Sequence, residues 1–528
     1  MSIMDQFINP GLSLSLSRPV SFAIVVIGIY LAVTLSSSKR RRGLPLPPGP
    51  KPELFIGNAR QLPKGKQWIT ASQWGKDYGD LVYARIPGKS ILFLNSVKAA
   101  NDLLEKRSKI YSDRTHSTMI DLTGWAFNLL HMGYNDEWRK HRRMFQQMFR
   151  PDAVGDYQSI QRRKIHEWLK RLLETPGQFM QHNTLLSISI MMSIVYGSSV
   201  DSIDDPLIHI GKQAMGIMSD CLVPGKFLVE TFPFLRYLPT WVPGCGFLKY
   251  AENGTRLTRE MQFVPFEATK EKMRMGQGSE SLVAEYLGDT DHIGGLRGQE
   301  REDVLRHVAT TSYAGGVDTT VSSLSTIFRA MVLSPSAQRK IQSEIDHVTG
   351  RKRLPEFTDR EFMPYCEAAY REVMRWYPVT PLGIAHTTSE DDVYMGWFIP
   401  KGTQCFPNVW AMTRDESKYK DADRFIPERF LDADGKPNDD TFVPAFGFGR
   451  RICVGRFFAD ATVWYTLVSL LAVFDILPAK DEDGKDIDIT EYEYTDGAII
   501  HPLPFPCIIK PRSIESITII EKAIATDI

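Results

Sequence analysis

The chain has 528 residues, 43% of them hydrophobic, enough for a sizeable core in one large domain or a few average ones. Lys plus Arg and Asp plus Glu each number 63, so the formal net charge is zero and no global field draws in nucleic acid. The six cysteines (Cys221, Cys245, Cys366, Cys405, Cys453, Cys507) lie far apart with no C-x-x-C spacing, which argues against a zinc site or disulfide framework and fits a reducing compartment.

The first element is an almost wholly apolar run, Val20 to Leu35, followed by serines and then Lys39-Arg40-Arg41-Arg42. With its small polar flanks it reaches about 19 residues, or about 28 Å as a helix, close to the thickness of the endoplasmic-reticulum bilayer. A cleaved signal peptide is the alternative, but no small-x-small site precedes the basic run and the charge follows the apolar stretch. The basic run reads as a stop-transfer signal that stays cytosolic. The expected organisation is an N-terminal segment 1–38 with a membrane anchor at about 20–35, a basic and Pro-rich hinge 39–52, and a globular body 53–528. Pro45-Leu46-Pro47-Pro48-Gly49-Pro50 stiffens the hinge. The sequon Asn253-Gly254-Thr255 would then face the cytosol unglycosylated.

In the body, Leu81–Leu94 reads as a hairpin around Pro87-Gly88, and Val393–Cys405 as short strands. Helical periodicity dominates elsewhere, with long runs at 136–175, 300–333 and 360–377. Gly288–Gly298 is a polar, Gly-rich loop. The fold class is mainly α with small β sheets.

Three constellations stand out. Trp138 and Arg142 are one helical turn apart on one face, and a basic amphipathic helix is the equal alternative. Gly315-Gly316-Val317-Asp318-Thr319-Thr320 places two glycines inside a helix, which costs about 2 kcal/mol relative to alanines. Such a notch admits a ligand against the backbone or a closely crossing helix. Phe446-Gly447-Phe448-Gly449-Arg450-Arg451-Ile452-Cys453-Val454-Gly455 sets a cysteine among glycines and arginines just before an apolar helical run. Backbone N–H groups, a helix N-terminus and positive charge stabilise a thiolate, as an axial haem ligand requires.

Phe446, Gly449, Arg451, Cys453 and Gly455 fit Phe-x-x-Gly-x-Arg-x-Cys-x-Gly, and in this the chain resembles the cytochrome P450 family of haem-thiolate monooxygenases. The resemblance runs nearly the whole length and leans toward fungal microsomal members of secondary metabolism, those of mushrooms especially. It implies the cytochrome P450 fold, a triangular helical prism enclosing haem, behind a single N-terminal anchor. It implies haem b with an axial thiolate from Cys453, and Asp318 and Thr319 as a proton relay for oxygen activation. Trp138, Arg142, Arg451, His386 and the weaker match Arg114 would hold the haem propionates. Glu372, Arg375 and Arg429 would form a buried structural triad that locks the loop around Cys453.

Further implications of the resemblance are NADPH-cytochrome P450 reductase as electron donor and the endoplasmic reticulum membrane as location, single-pass with a cytosolic catalytic domain. Lys140, Arg143, Arg450 and Arg456 are candidates for a reductase-docking patch. A lipophilic substrate fits, of terpenoid or polyketide type, with an aromatic or indole metabolite as the second choice. The segments expected around it are 117–130, 216–241, 313–314, 379–384 and 496–500. A haem-thiolate isomerase or dehydratase and a non-catalytic haem protein are the competing classes.

Overall fold

A computed structural model describes residues 43–223, 225–277, 280–288, 296–441 and 443–527. The expected anchor at 20–35 and the basic run 39–42 lie outside the described residues, as do 289–295 of the polar loop. The chain divides into two compact units. Of the described residues, the smaller comprises 43–47 with Asp391–Pro400. In it β4 (Asp392–Tyr394) pairs antiparallel with β5 (Trp397–Ile399) across Met395-Gly396, both at positive φ, and Phe398 N–H donates to the Pro45 carbonyl at 2.8 Å.

The larger unit, Pro48–Glu390 with Lys401–Ile528, is mainly helical. Helix α1 (Gln67–Tyr78) precedes the expected hairpin, β1 (Leu81–Ile86) against β2 (Lys89–Leu94), and the short helix α2 (Thr118–Leu122) follows it. β6 (Gln404–Pro407) adds parallel to β2, and β3 (His386–Thr387) closes the four-stranded sheet antiparallel to β6, with His386 opposite Cys405. β7 (Phe474–Pro478) pairs with β8 (Cys507–Pro511).

The run 136–175 forms two long helices, α3 (Asp136–Met148) and α4 (Gln158–Glu174), rather than one. Pro151 is the cause: Arg150 before it is extended (φ −65°, ψ 158°), and a short helix restarts with Pro151 at its first position. At the other end of α3, the Asn135 side chain accepts from the Trp138 N–H at 2.9 Å and caps the helix. Next come α5 (Phe179–Tyr196), α6 (Pro206–Cys221) and α7 (Phe247–Arg274).

The central helix α8 (Gly298–Leu333) has 36 residues, about 54 Å at 1.5 Å per residue, and runs unbroken through Gly315-Gly316. It packs against α5 and α3, and α9 (Pro335–Thr349), α10 (Pro364–Trp376) and α11 (Arg456–Val473) follow it. Among the described residues, α11 alone is long and apolar enough to cross a bilayer, yet it is packed among α4, α8, α9 and α10 as a core helix. Its first residue is three positions after Cys453.

Candidate active site

The cysteine loop is shaped by its backbone. Gly449 sits at φ +59°, and a Cβ there would lie 2.0 Å from the Leu104 carbonyl oxygen. Glycine is required at this position by the approach of another backbone, not of a flat ligand. Cys453 N–H donates to the Phe446 carbonyl at 2.8 Å, and an Arg456 N–H donates to the Cys453 carbonyl at 3.0 Å. Burial pushes the Cys453 thiol up, while the Gly455 N–H and the Arg142 and Arg456 charges pull it down. The residue is nonetheless accessible, unlike Cys221, Cys245, Cys366 and Cys405. Protein crowds the thiol on most sides, and the residue keeps one side open. Gly455 has no atom within 4 Å of where a Cβ would stand.

A cationic cluster adjoins this loop. Arg451 stacks over the Trp138 ring at 4.4 Å and gives its guanidinium N–H groups to the carbonyls of Ser112, Leu129 and Met132 at 2.8, 3.2 and 2.8 Å. Arg114 donates to the Leu130, Ile384 and Ala385 carbonyls at 3.0, 3.0 and 2.5 Å. Burial, the largest cause, lowers the pKa of Arg114, Arg142 and Arg451 alike. Mutual repulsion adds to it: Arg451 acts on Arg114, Arg142 on Arg451, and Arg456 on Arg142. Trp138 is buried, and its indole N–H has no partner among the described residues.

His386 gives its Nδ1 proton to the Tyr111 carbonyl at 2.7 Å, and burial and Arg114 hold it neutral. Neutral, it has no second N–H to offer. Sequence reasoning missed His131, whose Nε2 is buried without a partner and whose pKa falls to about 4 through burial and Arg114. A lone histidine in a loop carries no spacing signal.

On α8 the two glycines do different work. Gly315 faces open space, whereas a Cβ on Gly316 would meet the Met191 sulfur of α5 at 2.6 Å. Both readings of the notch hold, one for each residue. Thr319 Oγ1 donates to the Gly315 carbonyl at 2.7 Å, and Asp318 Oδ1 lies 3.2 Å from His501 Nε2. No motif or spacing marks His501, 183 positions away in the chain by residue number.

Glu372, Arg375 and Arg429 do come together. Arg375 grips Glu372 in a bidentate pair at 2.6 and 2.8 Å with both side chains fully buried, and Arg429 Nε donates to Glu372 at 3.2 Å. The remaining guanidinium donors hold the carbonyls of Thr413, Ala422 and Arg424 for Arg375, and of Lys420 and Asp421 for Arg429. The triad therefore clamps the 413–424 loop upstream of the cysteine motif.

The expected substrate segments part company. Trp125, Phe127 and Leu129 are buried, with Trp125 stacked on Phe127 and Phe127 against His307 of α8. Leu228, Phe232, Phe234, Tyr237 and Trp241 instead point outward, the last two about 80% exposed. The candidate docking cations are engaged: Lys140 with Glu137 and Glu300, and Arg450 with the Tyr134 hydroxyl. A surface cavity of about 530 Å³ bounded by Phe357, Arg360, Glu367 and Pro437 contains none of the site residues.

The sequence profile described as Cytochrome P450 matches residues 47–506. Cytochrome P450 monooxygenase ple1 of Rhodocybe pseudopiperita is 41% identical over 502 residues, 94% of this chain and 95% of that protein. Cytochrome P450 monooxygenase COX2 of Coprinopsis cinerea is 38% identical, covering 93% of each chain, and tryptamine 4-monooxygenase of Psilocybe cyanescens is 37% identical, covering 93% and 98%. With that coverage around a cysteine loop, a cationic cluster and an acid–hydroxyl pair on one long helix, the chain belongs to the cytochrome P450 family and is a haem-thiolate monooxygenase.

Proposed function

We propose that this enzyme inserts one oxygen atom from O2 into a lipophilic small molecule, using electrons from NADPH passed through a membrane-bound flavoprotein reductase. The observation that carries the reading is the pairing of an accessible Cys453 with crowded, buried arginines that lack sufficient facing carboxylate. A dianionic, flat cofactor fits there: Arg114, Arg142, Arg451 and the orphan Trp138 N–H would hold its carboxylates, which would relieve the repulsion among the arginines. His131 is a further donor if an adjacent carboxylate favours its protonation, and His386 acts in the same way. Bound haem supplies the activation of O2 and the transfer of one oxygen atom to substrate.

The chain's own residues do the rest. Gly455 N–H, Arg142 and Arg456 favour the thiolate form of Cys453. Gly315 leaves room for a small ligand on the α8 side. Thr319 Oγ1 has its proton committed to the Gly315 carbonyl, so its lone pairs are free to accept from a water. Asp318 passes protons inward from the solvent side. This relay favours the monooxygenase reading over an isomerase or a carrier, neither of which needs proton delivery.

The buried Trp125–Phe127 stack supports an apolar pocket, and thus a terpenoid or polyketide scaffold in a fungal secondary pathway. An indole or other aromatic substrate is the second reading, favoured by the relative named tryptamine 4-monooxygenase. The outward aromatic row Phe232, Phe234, Tyr237 and Trp241 supports contact with a membrane interface, in keeping with an endoplasmic-reticulum anchor at 20–35. Purified enzyme with reductase and NADPH, screened against terpenoid, polyketide and indole libraries, is expected to give products heavier by one oxygen atom. Haem-loaded enzyme that accepts reductase electrons but turns over no member of these classes would overturn the substrate reading.

A further inference from the structure

The turn after Tyr494 is held to α8 at several points. Tyr494 OH lies 3.1 Å from Thr326 Oγ1, and Ser322 Oγ donates to the Ile500 carbonyl at 2.5 Å. Ile500 N–H donates to the Val379 carbonyl at 3.0 Å. Within the turn, Thr495 and His501 exchange bonds: Thr495 N–H donates to the His501 carbonyl at 2.7 Å, and His501 N–H to Thr495 Oγ1 at 2.9 Å. Ser322 is one helical turn beyond Asp318, so these bonds fix the His501 backbone directly beside the acid. The imidazole then reaches Asp318 with Nε2 3.2 Å from Oδ1, and both side chains are partly accessible, 23% and 35%.

The other acids of the turn are directed elsewhere. Asp496 accepts from the Lys66 N–H at 2.8 Å, and Glu493 pairs with Lys66 Nζ at 2.7 Å. Among the described residues, the ion pair of Asp318 is the one with His501. A mobile carboxylate at the end of a proton path is an unreliable donor. An imidazole locked by its own backbone bonds both aims the carboxylate and can reload it with a proton from solvent.

We propose that His501 is a positioning residue for proton delivery: it aims the Asp318 carboxylate and returns a proton to it between transfers. The inference rests on the monooxygenase reading. The step is a proton transfer from His501 Nε2–H to Asp318 Oδ1, after which the neutral imidazole takes a proton from water. Without organic substrate, reductase-driven turnover either releases peroxide (O2 + NADPH + H⁺ → H2O2 + NADP⁺) or completes reduction to water (O2 + 2 NADPH + 2 H⁺ → 2 H2O + 2 NADP⁺). A faltering proton supply raises the peroxide share.

Two measurements on the haem-loaded, full-length enzyme test this. The first is hydrogen–deuterium exchange at the His501 C2 position, read by mass spectrometry across pH, which needs no turnover. Its pH profile is expected to move when Asp318→Asn removes the carboxylate charge 3.2 Å from the ring nitrogen. An unmoved profile overturns the pairing. The second is peroxide formed per NADPH consumed, without organic substrate. His501→Phe is expected to raise it about two- to fivefold, the kinetic equivalent of an exposed ion pair. His501→Gln, which keeps an N–H donor but takes up no proton, is expected to bring the peroxide yield most of the way back to wild type and to lose the wild-type variation of that yield with pH. Wild-type peroxide yield in His501→Phe, or a wild-type pH profile in His501→Gln, overturns the positioning role. A substrate screen that gives no oxygenated product overturns the substrate reading separately, since neither measurement here requires an organic substrate.

Discussion

Six cysteines share one side-chain chemistry, and their surroundings separate them. Burial alone raises Cys405 and Cys507, and it dominates at Cys221, which rises to about 11. At Cys453 alone of these four do two arginines and a following helix N-terminus oppose it. Cys453→Ser is therefore expected to lose the red-shifted ferrous–carbonyl band of a thiolate-ligated haem, read by absorption spectroscopy, while a Cys507→Ser protein keeps it. The cysteine was legible because five spaced residues mark it. The roles of its glycines were less so: Gly449 makes room for the Leu104 carbonyl, which belongs to a segment 345 positions earlier by residue number. His131, His307 and His501 left no trace in the sequence, because a single imidazole acquires meaning only from neighbours that the fold supplies.

At the scale of elements, periodicity located the long helices and the hairpin, and missed the break that Pro151 makes between α3 and α4. The Glu-x-x-Arg pair of α10 was legible as one face of a helix. Its reach was not, since the bonds that matter run to main-chain carbonyls of an irregular loop. Removing Arg375 leaves the Glu372 carboxylate buried with a weaker partner and orphans three carbonyls. Arg375→Ala is expected to lose about 3–5 kcal/mol, read by chemical denaturation, and to yield little haem-loaded protein. Arg429→Lys, at a more exposed member of the triad, is expected to lose distinctly less.

The whole molecule combines zero formal net charge with a crowded arginine cluster beside the cysteine loop, so the average conceals the feature that matters. Composition could exclude a nucleic-acid partner but could not reveal that cluster. A second consequence at this scale is acid sensitivity. His141 and His307 join α3 to α8, Nε2 to Nδ1 at 3.1 Å with stacked rings, and burial lowers both, His307 to about 4. A histidine whose folded pKa is depressed binds its proton in the unfolded chain first. Stability is thus full above about pH 6.5 and lost as pH falls toward 4, by at most about 3 kcal/mol for His307. The thermal midpoint is expected to drop across that window, and His307→Gln to flatten the drop; an unchanged slope would remove the pair as its cause.

The contact between Gly449 and Leu104 has a mechanical consequence. Two main chains meet there with no side chain between them, so nothing compressible separates the 101–106 turn from the cysteine loop. A push on that turn reaches the thiolate undamped. The sulfur's spectroscopic signature should accordingly register events on the outer side of the 101–106 segment, which would make Cys453 a built-in strain gauge for a surface that it never touches.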